Sequence, residues 1–222
     1  MQPCRTVALI TLALVKCHAL TPKRVLVVGG SGRVGASTVR WIDKLAKAEQ
    51  LPVELAVGGR RQASFDAAAK RLGAKGVDDI TFVQLDLDDA ASLERAVAGR
   101  SLVVHTAGPF QQRTDPTLLK ACIDAGVPYC DVCDELELSR AAKKLTSDVP
   151  AVISCGLWPG ASALLAARAA ERLGKPLDDL EFSFFTSGTG GAGPTIVAAT
   201  FLLLCTPAAV YADGELVMKE PW

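Results

Sequence analysis

The chain has 222 residues, half of them hydrophobic, with 24 basic and 24 acidic side chains and a formal net charge of zero. That apolar content supports a core and excludes a disordered chain. The balanced charge argues against nucleic acid as a partner, because gripping a phosphate backbone takes an excess of Lys and Arg on one face.

The first twenty-two residues read as a separate segment. A short basic start, MQPCR, precedes the apolar run 6–15 and then KCHA, the order of a signal or targeting peptide. The run is too short to span a bilayer. An ordinary apolar extension fits as well, so a secretory or organelle route (a plastid, for example) and the cytoplasm both stay open. The seven cysteines are odd in number and scattered through apolar segments, a pattern of buried reduced thiols rather than a secreted disulfide framework. Cys130 and Cys133 match C-x-x-C, but on a strand, residues three apart point to opposite faces, and no second Cys or His pair completes a metal site.

From Lys23 onward, short Val- and Ile-rich runs alternate with helical ones. Strands are expected over 24–29, 53–57, 80–86, 101–108, 127–132 and 151–156. Helices follow them over 36–48, 64–73, 91–99, 116–126, 139–145 and 161–174. Six strand–helix units specify an α/β fold, a Rossmann-type doubly wound parallel sheet, over residues 23–175. Function in that architecture lies at the carboxyl ends of the strands. After Pro176 the rhythm changes. Residues 179–188 read as a strand, 188–194 as a glycine-rich loop and 196–204 as a short apolar helix. Asp213-Gly214 between two β runs is a hairpin signature. Residues 176–222 are therefore expected to begin an α+β second domain that is incomplete, in a chain that is a fragment of a longer protein.

The strongest motif is G-x-G-x-x-G at Gly30-Ser31-Gly32-Arg33-Val34-Gly35, placed after the first strand and opening the first helix. Gly30 permits the tight turn, Gly32 lets the backbone approach a pyrophosphate, and Gly35 lets helix and sheet pack closely. The helix N-terminus offers free N–H groups and a partial positive charge to the phosphates. After the second strand, where NAD-binding chains commonly place an acid, this one runs into Gly58-Gly59-Arg60-Arg61. Arg60 can offer a bidentate fork to a 2′-phosphate and stack on adenine, which favours NADP(H) over NAD(H). As a plain surface feature, Arg60 and Arg61 would merely open a solvated helix.

Further strand ends fall in line. Asp86 ends the third strand, as an acceptor for an adenine amine or as a turn or cap residue. His105 invites a general-base role, but it lies before the bend with no identifiable partner, and a packed strand-end histidine is the favoured reading. Ala107, Gly108 and Pro109 bend the chain beside the expected nicotinamide ribose. Trp158-Pro159-Gly160-Ala161-Ser162 precedes another helix, either to bind a substrate carboxylate or to cap the helix, the cap being favoured.

Taken together, VLVVGGSGRVG, GGR, DLDDAASL, VVHTAGPF, LLKACIDAGVPYCDVCDE, CGLWPGAS and GTGGAGPT resemble the saccharopine dehydrogenase-like NADP-binding family from Arg24 onward. The resemblance implies a Rossmann domain carrying a substrate and dimerisation domain, a small-molecule substrate, a homodimer through that second domain, and a missing C-terminal part. It implies an oxidoreductase passing a hydride between NADP(H) and a carbonyl, imine or enoyl group. Gly30, Gly32, Gly35 and Arg60 match the cofactor motif, Asp86 the adenine-side acid, and Ala107, Gly108 and Pro109 the loop beside the nicotinamide. Tyr129, Asp131 and Glu135 fit a family motif, but Asp134 stands where that motif has glycine. No Tyr-x-x-x-Lys pair is found in the Rossmann part, so the catalytic acid is unassigned and a non-catalytic, redox-sensing or scaffold role is the alternative. No nucleic acid, membrane span or metal is expected.

Overall fold

In the computed structural model, residues 21–174, 177, 179–185 and 193–221 are described. The apolar run 6–15 and the targeting reading of residues 1–19 therefore lie outside the described residues.

The first strand shows why a sheet forms. β1 (Lys23–Val28) leaves its two basic residues exposed and buries the four aliphatic ones that follow. Its side chains alternate between two cores. Val25 and Val27 join Val39, Leu55, Val57, Phe65 and Leu72 on one side. Leu26 and Val28 join Leu93, Val97, Val103, Leu118, Leu119 and Cys122 on the other. Burial on both faces is what a continuous aliphatic run requires of a parallel strand. Each such side chain removed from water contributes about 1.5–3 kcal/mol.

Those two cores are closed by helices. α1 (Arg33–Ala48), β2 (Val53–Gly59) and α2 (Gln62–Gly73) cover the first face. β3 (Thr81–Gln84), α3 (Ala90–Val97), β4 (Leu102–His105) and α4 (Thr117–Asp124) build the second. β5 (Tyr129–Asp131), α5 (Leu136–Lys143), β6 (Ala151–Val152) and α6 (Ala161–Leu173) complete the domain. The six strands run in the order β3-β2-β1-β4-β5-β6, every pair parallel. Chain direction across the sheet reverses between β1 and β4, which opens a crevice at their carboxyl ends.

The observed strands are shorter than the apolar runs that announce them. The expected strand 80–86 pairs only over Thr81–Gln84, and 151–156 only over Ala151–Val152. Beyond Gln84, Leu85 and Asp86 run on into the site described below, whereas residues 153–156 form the loop that leads toward α6. The first helix starts earlier than expected, at Arg33, because Gly32 in extended geometry serves as its N-cap. Beyond α6 lie α7 (Pro194–Leu204) and the antiparallel pair β7 (Ala208–Ala212) and β8 (Glu215–Lys219), joined through Asp213-Gly214 as the hairpin signature requires. The strand expected over 179–188 is not formed at 179–185. A strand exists only through its ladder, and among the described residues the sheet holding β7 and β8 has just those two members. Among the described residues no helix is long and apolar enough to cross a membrane.

Candidate functional site

At the carboxyl ends of β1, β2 and β4 lies a cleft of about 640 Å³. Its floor is the turn between β1 and α1. Gly29 adopts φ 80°, and a Cβ there would stand 2.7 Å from Ala107 Cα, so the turn and the end of β4 touch backbone to backbone. Gly35 is held still closer. A Cβ would lie 2.2 Å from Gly29 O, so α1 can approach the strand only over a bare Cα. No side chain caps α1, and the first-turn N–H groups of a helix have no intrahelical acceptor. That turn therefore offers donors and the positive end of a dipole to an anion.

Around this floor the structure gathers most of the residues singled out from the sequence. Ser31, Gly32, Arg33, Val34, Gly35, Arg60, Arg61, Asp86, Ala107, Gly108 and Pro109 all line the cleft. Gly30 lies beneath it, buried against Val57. A cis peptide joins Gly108 to Pro109. Arg60 and Arg61 are exposed at the end of β2, and among the described residues neither pairs with a carboxylate. Arg61 is also the N-cap of α2, so the helix-opening reading and the cleft position coexist. Asp86 combines two readings as well. It lines the cleft, while Oδ1 accepts from the Asp88 N–H at 3.2 Å to close a turn.

Several cleft residues were not anticipated. Arg71 donates from Nη2 to Ser31 O at 3.3 Å, tying α2 to the phosphate turn. It stands seven residues after Ser64, which also lines the cleft. Two helical turns bring positions seven apart to one face, a signal that could have found the pair. Arg113, paired with Asp88 at 3.2 Å, and Gln111 follow the Gly108-Pro109 bend. Nothing in their local sequence marks them. Five arginines thus face two aspartates across the cleft, and one aspartate is already engaged. In a chain of zero net charge this local excess is a product of folding.

Other candidates stand elsewhere. His105 is buried and does not line the cleft. Its Nδ1 accepts from the Ala107 N–H at 3.3 Å and its ring packs edge-on against Phe110 at 4.9 Å. Burial, aided by Arg113, brings its pKa down to about 4, so the imidazole is neutral and serves the strand end as packing. The Trp158–Ser162 turn, read as a carboxylate site or a helix cap, contributes no residue to the cleft. The N–H groups of Ala161 and Ser162 donate to Gly156 O and Leu157 O, both at 3.0 Å. Loop carbonyls thus satisfy the opening of α6, the cap reading. Residues 186–192 of the glycine-rich loop lie outside the described residues, while Gly193 and Pro194 line the cleft.

The Tyr129-Asp131-Glu135 constellation is engaged within the protein. Asp131 is buried at the end of β5 and accepts from Tyr129 Oη at 3.0 Å, Cys133 N at 3.0 Å and Ser154 N at 2.7 Å. Glu135 caps α5 through Oε1, accepting from Glu137 N, and through Oε2 accepts from Gln112 N at 3.2 Å. Glu135 thus ties the loop after β5 to the loop after β4, and Asp131 ties β5 to the loop after β6. Cys130 belongs to the β5 strand and Cys133 to a separate cluster with Phe110 and Leu138. Burial pushes the Cys130 thiol up to about 11 and raises Cys133 as well, leaving both protonated.

A nicotinamide dinucleotide phosphate fits this donor set. The glycine floor admits a pyrophosphate, and Arg60, Arg61 and Arg71 stand where the adenosine half of a Rossmann ligand lies. Beside that geometry, the family described as "Saccharopine dehydrogenase NADP binding domain" matches residues 25–154. Apo saccharopine dehydrogenase (L-Glu forming) from Saccharomyces cerevisiae is similar in fold, with 23% identity and a TM-score of 0.54 over 68% of this chain. The match covers 31% of the yeast enzyme, so the chain spans less than a third of that protein's length. Shikimate 5-dehydrogenase from Listeria monocytogenes also matches, at 17% identity and a TM-score of 0.42, covering 71% of this chain and 55% of that one. No curated protein sequence matches significantly. With more than half of its length inside the family's boundaries, the chain belongs to the saccharopine dehydrogenase NADP-binding-domain family.

Proposed function

We propose that this chain binds NADP(H) in preference to NAD(H), and that it is the cofactor-binding part of an oxidoreductase acting on a carbonyl, imine or enoyl substrate. The observation that carries the reading is the arginine excess of the cleft, five against two aspartates, within a chain of zero net charge. A 2′-phosphate adds nearly two negative charges at neutral pH. At the end of β2 it meets Arg60 and Arg61 where an NAD-binding chain would place a repelling acid. Ser64, in the first turn of α2, supplies a hydroxyl donor, and Asp86 is the adenine-side acid. When bound, the nicotinamide supplies or takes the hydride. The chain's own residues hold the pyrophosphate at α1, clamp the 2′-phosphate with Arg60, and shape the ring's surroundings with Ala107, Gly108 and Pro109.

The test is binding. NADPH is expected to bind at least about tenfold more tightly than NADH, and Arg60→Asp to reverse that order, since a charge-assisted contact contributes about 1.5–3 kcal/mol. Equal affinities in the unmutated chain would end the claim. One observation favours a second reading, a non-catalytic NADP-binding module: among the described residues no His, Lys, Tyr or Cys lines the cleft. NADPH oxidation by the protein with any carbonyl or imine separates the two. Residues 176–222 begin a substrate and dimerisation unit in this reading. The exposed Phe201, Leu203 and Tyr211 support a homodimer there, which light scattering would detect.

A further inference from the structure

One side chain in the cleft is costly to keep as it stands. Gln111 is only 6% exposed, yet among the described residues its Oε1 has no hydrogen-bond partner. A buried acceptor left unpaired forfeits the hydrogen bond it would make with water. The backbone that carries Gln111 is fixed by its neighbours on both sides. Phe110 is buried against His105, Gln112 donates its N–H to Glu135, and Arg113 N donates to Phe110 O at 3.1 Å. Gln112, at φ 65°, sets the local turn. Gln111 lines the cleft, so a ligand packed against it can bring the donor that Oε1 lacks.

Strand order identifies which part of the ligand arrives there. β2 and β4 flank β1 on opposite sides. A dinucleotide whose phosphorylated adenosine lies over Arg60, at the β2 end, places its other half beyond the β4 end, where Gln111 stands. A primary carboxamide carries a donor beside an acceptor. The complementary group on that half is another primary carboxamide, which can donate to Oε1 and accept from Nε2 at once.

We propose that Gln111 is a cofactor-recognition residue that pairs its side-chain amide with the carboxamide of the nicotinamide ring and so fixes which face of the ring is offered to substrate. The assignment rests on the NADP(H) reading above. A polar group of the substrate could offer the same donor, and the experiment separates these sources.

Binding to the full chain is measured by calorimetry for three probes: NADP⁺, its 3-acetylpyridine analogue, in which a methyl group replaces the amide NH₂, and adenosine 2′,5′-bisphosphate, which lacks the nicotinamide half. The unmutated protein is expected to bind NADP⁺ about tenfold more tightly than the acetylpyridine analogue. In Gln111→Leu and Gln111→Met that preference is expected to vanish, while affinity for adenosine 2′,5′-bisphosphate stays the same. Equal binding of NADP⁺ and the analogue by the unmutated protein overturns the pairing and leaves the donor to the substrate, and this arm needs no variant to fold. Failure of adenosine 2′,5′-bisphosphate to bind at all would instead remove the NADP(H) reading, and the proposal with it.

Discussion

Replacing Gly35 with alanine sets two effects of known size against each other. Gly35 is the third residue of α1, and alanine is favoured over glycine in a helix by up to about 1 kcal/mol. Against this, the added Cβ would lie 2.2 Å from Gly29 O and 2.6 Å from Gly30 Cα. Both obstacles are backbone, so no side chain can rotate away. Restoring an ordinary contact separates helix and turn by about 1 Å. Overpacking of this kind costs about 1–3 kcal/mol and more where the backbone must move, so the clash wins. A net loss of about 2–3 kcal/mol is expected, which for a chain of this length lowers Tm by about 5–10 °C. The same displacement pulls the first-turn N–H groups out of hydrogen-bond range of a phosphate, so NADPH affinity falls by at least about tenfold. Circular dichroism melts and NADPH fluorescence titration measure both. Gly59→Ala is the control, since a Cβ there meets nothing within 4 Å and stability is expected to change by less than about 0.5 kcal/mol. If Gly35→Ala melts with Gly59→Ala and binds NADPH normally, close helix–strand approach is not what this glycine secures.

Three further outcomes are expected. His105 is held at a pKa of about 4 against 6.5 for the free side chain. Between those values the unfolded chain takes up a proton that the folded chain refuses, so stability falls as pH drops from about 6.5 to 4. From pH 7 to 5 this amounts to about 2 kcal/mol, and urea melts of His105→Phe should show that much less acid sensitivity. Asp131→Ala leaves Tyr129 Oη and the N–H groups of Cys133 and Ser154 without their acceptor. A loss of about 3–5 kcal/mol is expected, read as a lowered urea midpoint. Glu135→Ala frees the Gln112 N–H and uncaps α5. It should raise hydrogen exchange across residues 110–113 and weaken NADPH binding more than binding of adenosine 2′,5′-bisphosphate.

Much of the fold was legible because its signals are local. The aliphatic run of β1 requires burial on both faces, and Gly30, Gly32 and Gly35 require a turn into a helix; both requirements hold within a dozen residues. Helix ends were less legible. α1 starts on an extended Gly32 and α5 on a Glu135 whose carboxylate also reaches Gln112, and those contacts are chosen by tertiary neighbours. The strand expected over 179–188 failed at 179–185 for a related reason. β-rich composition states a capacity to pair, while pairing itself depends on an available edge.

The sequence by itself determined the α/β class, the phosphate turn and the absence of an acid after β2, since each depends on residue type at short spacing. The tertiary structure decided which residues share the cleft. It brought Arg71 to Ser31 across forty positions, removed His105 and the Trp158–Ser162 turn from the cleft, and buried Gln111 without a partner. A charge or a hydrogen bond depends on distance in space. Sequence spacing reports that distance only along one helix or strand, so what lies between elements waits on the fold.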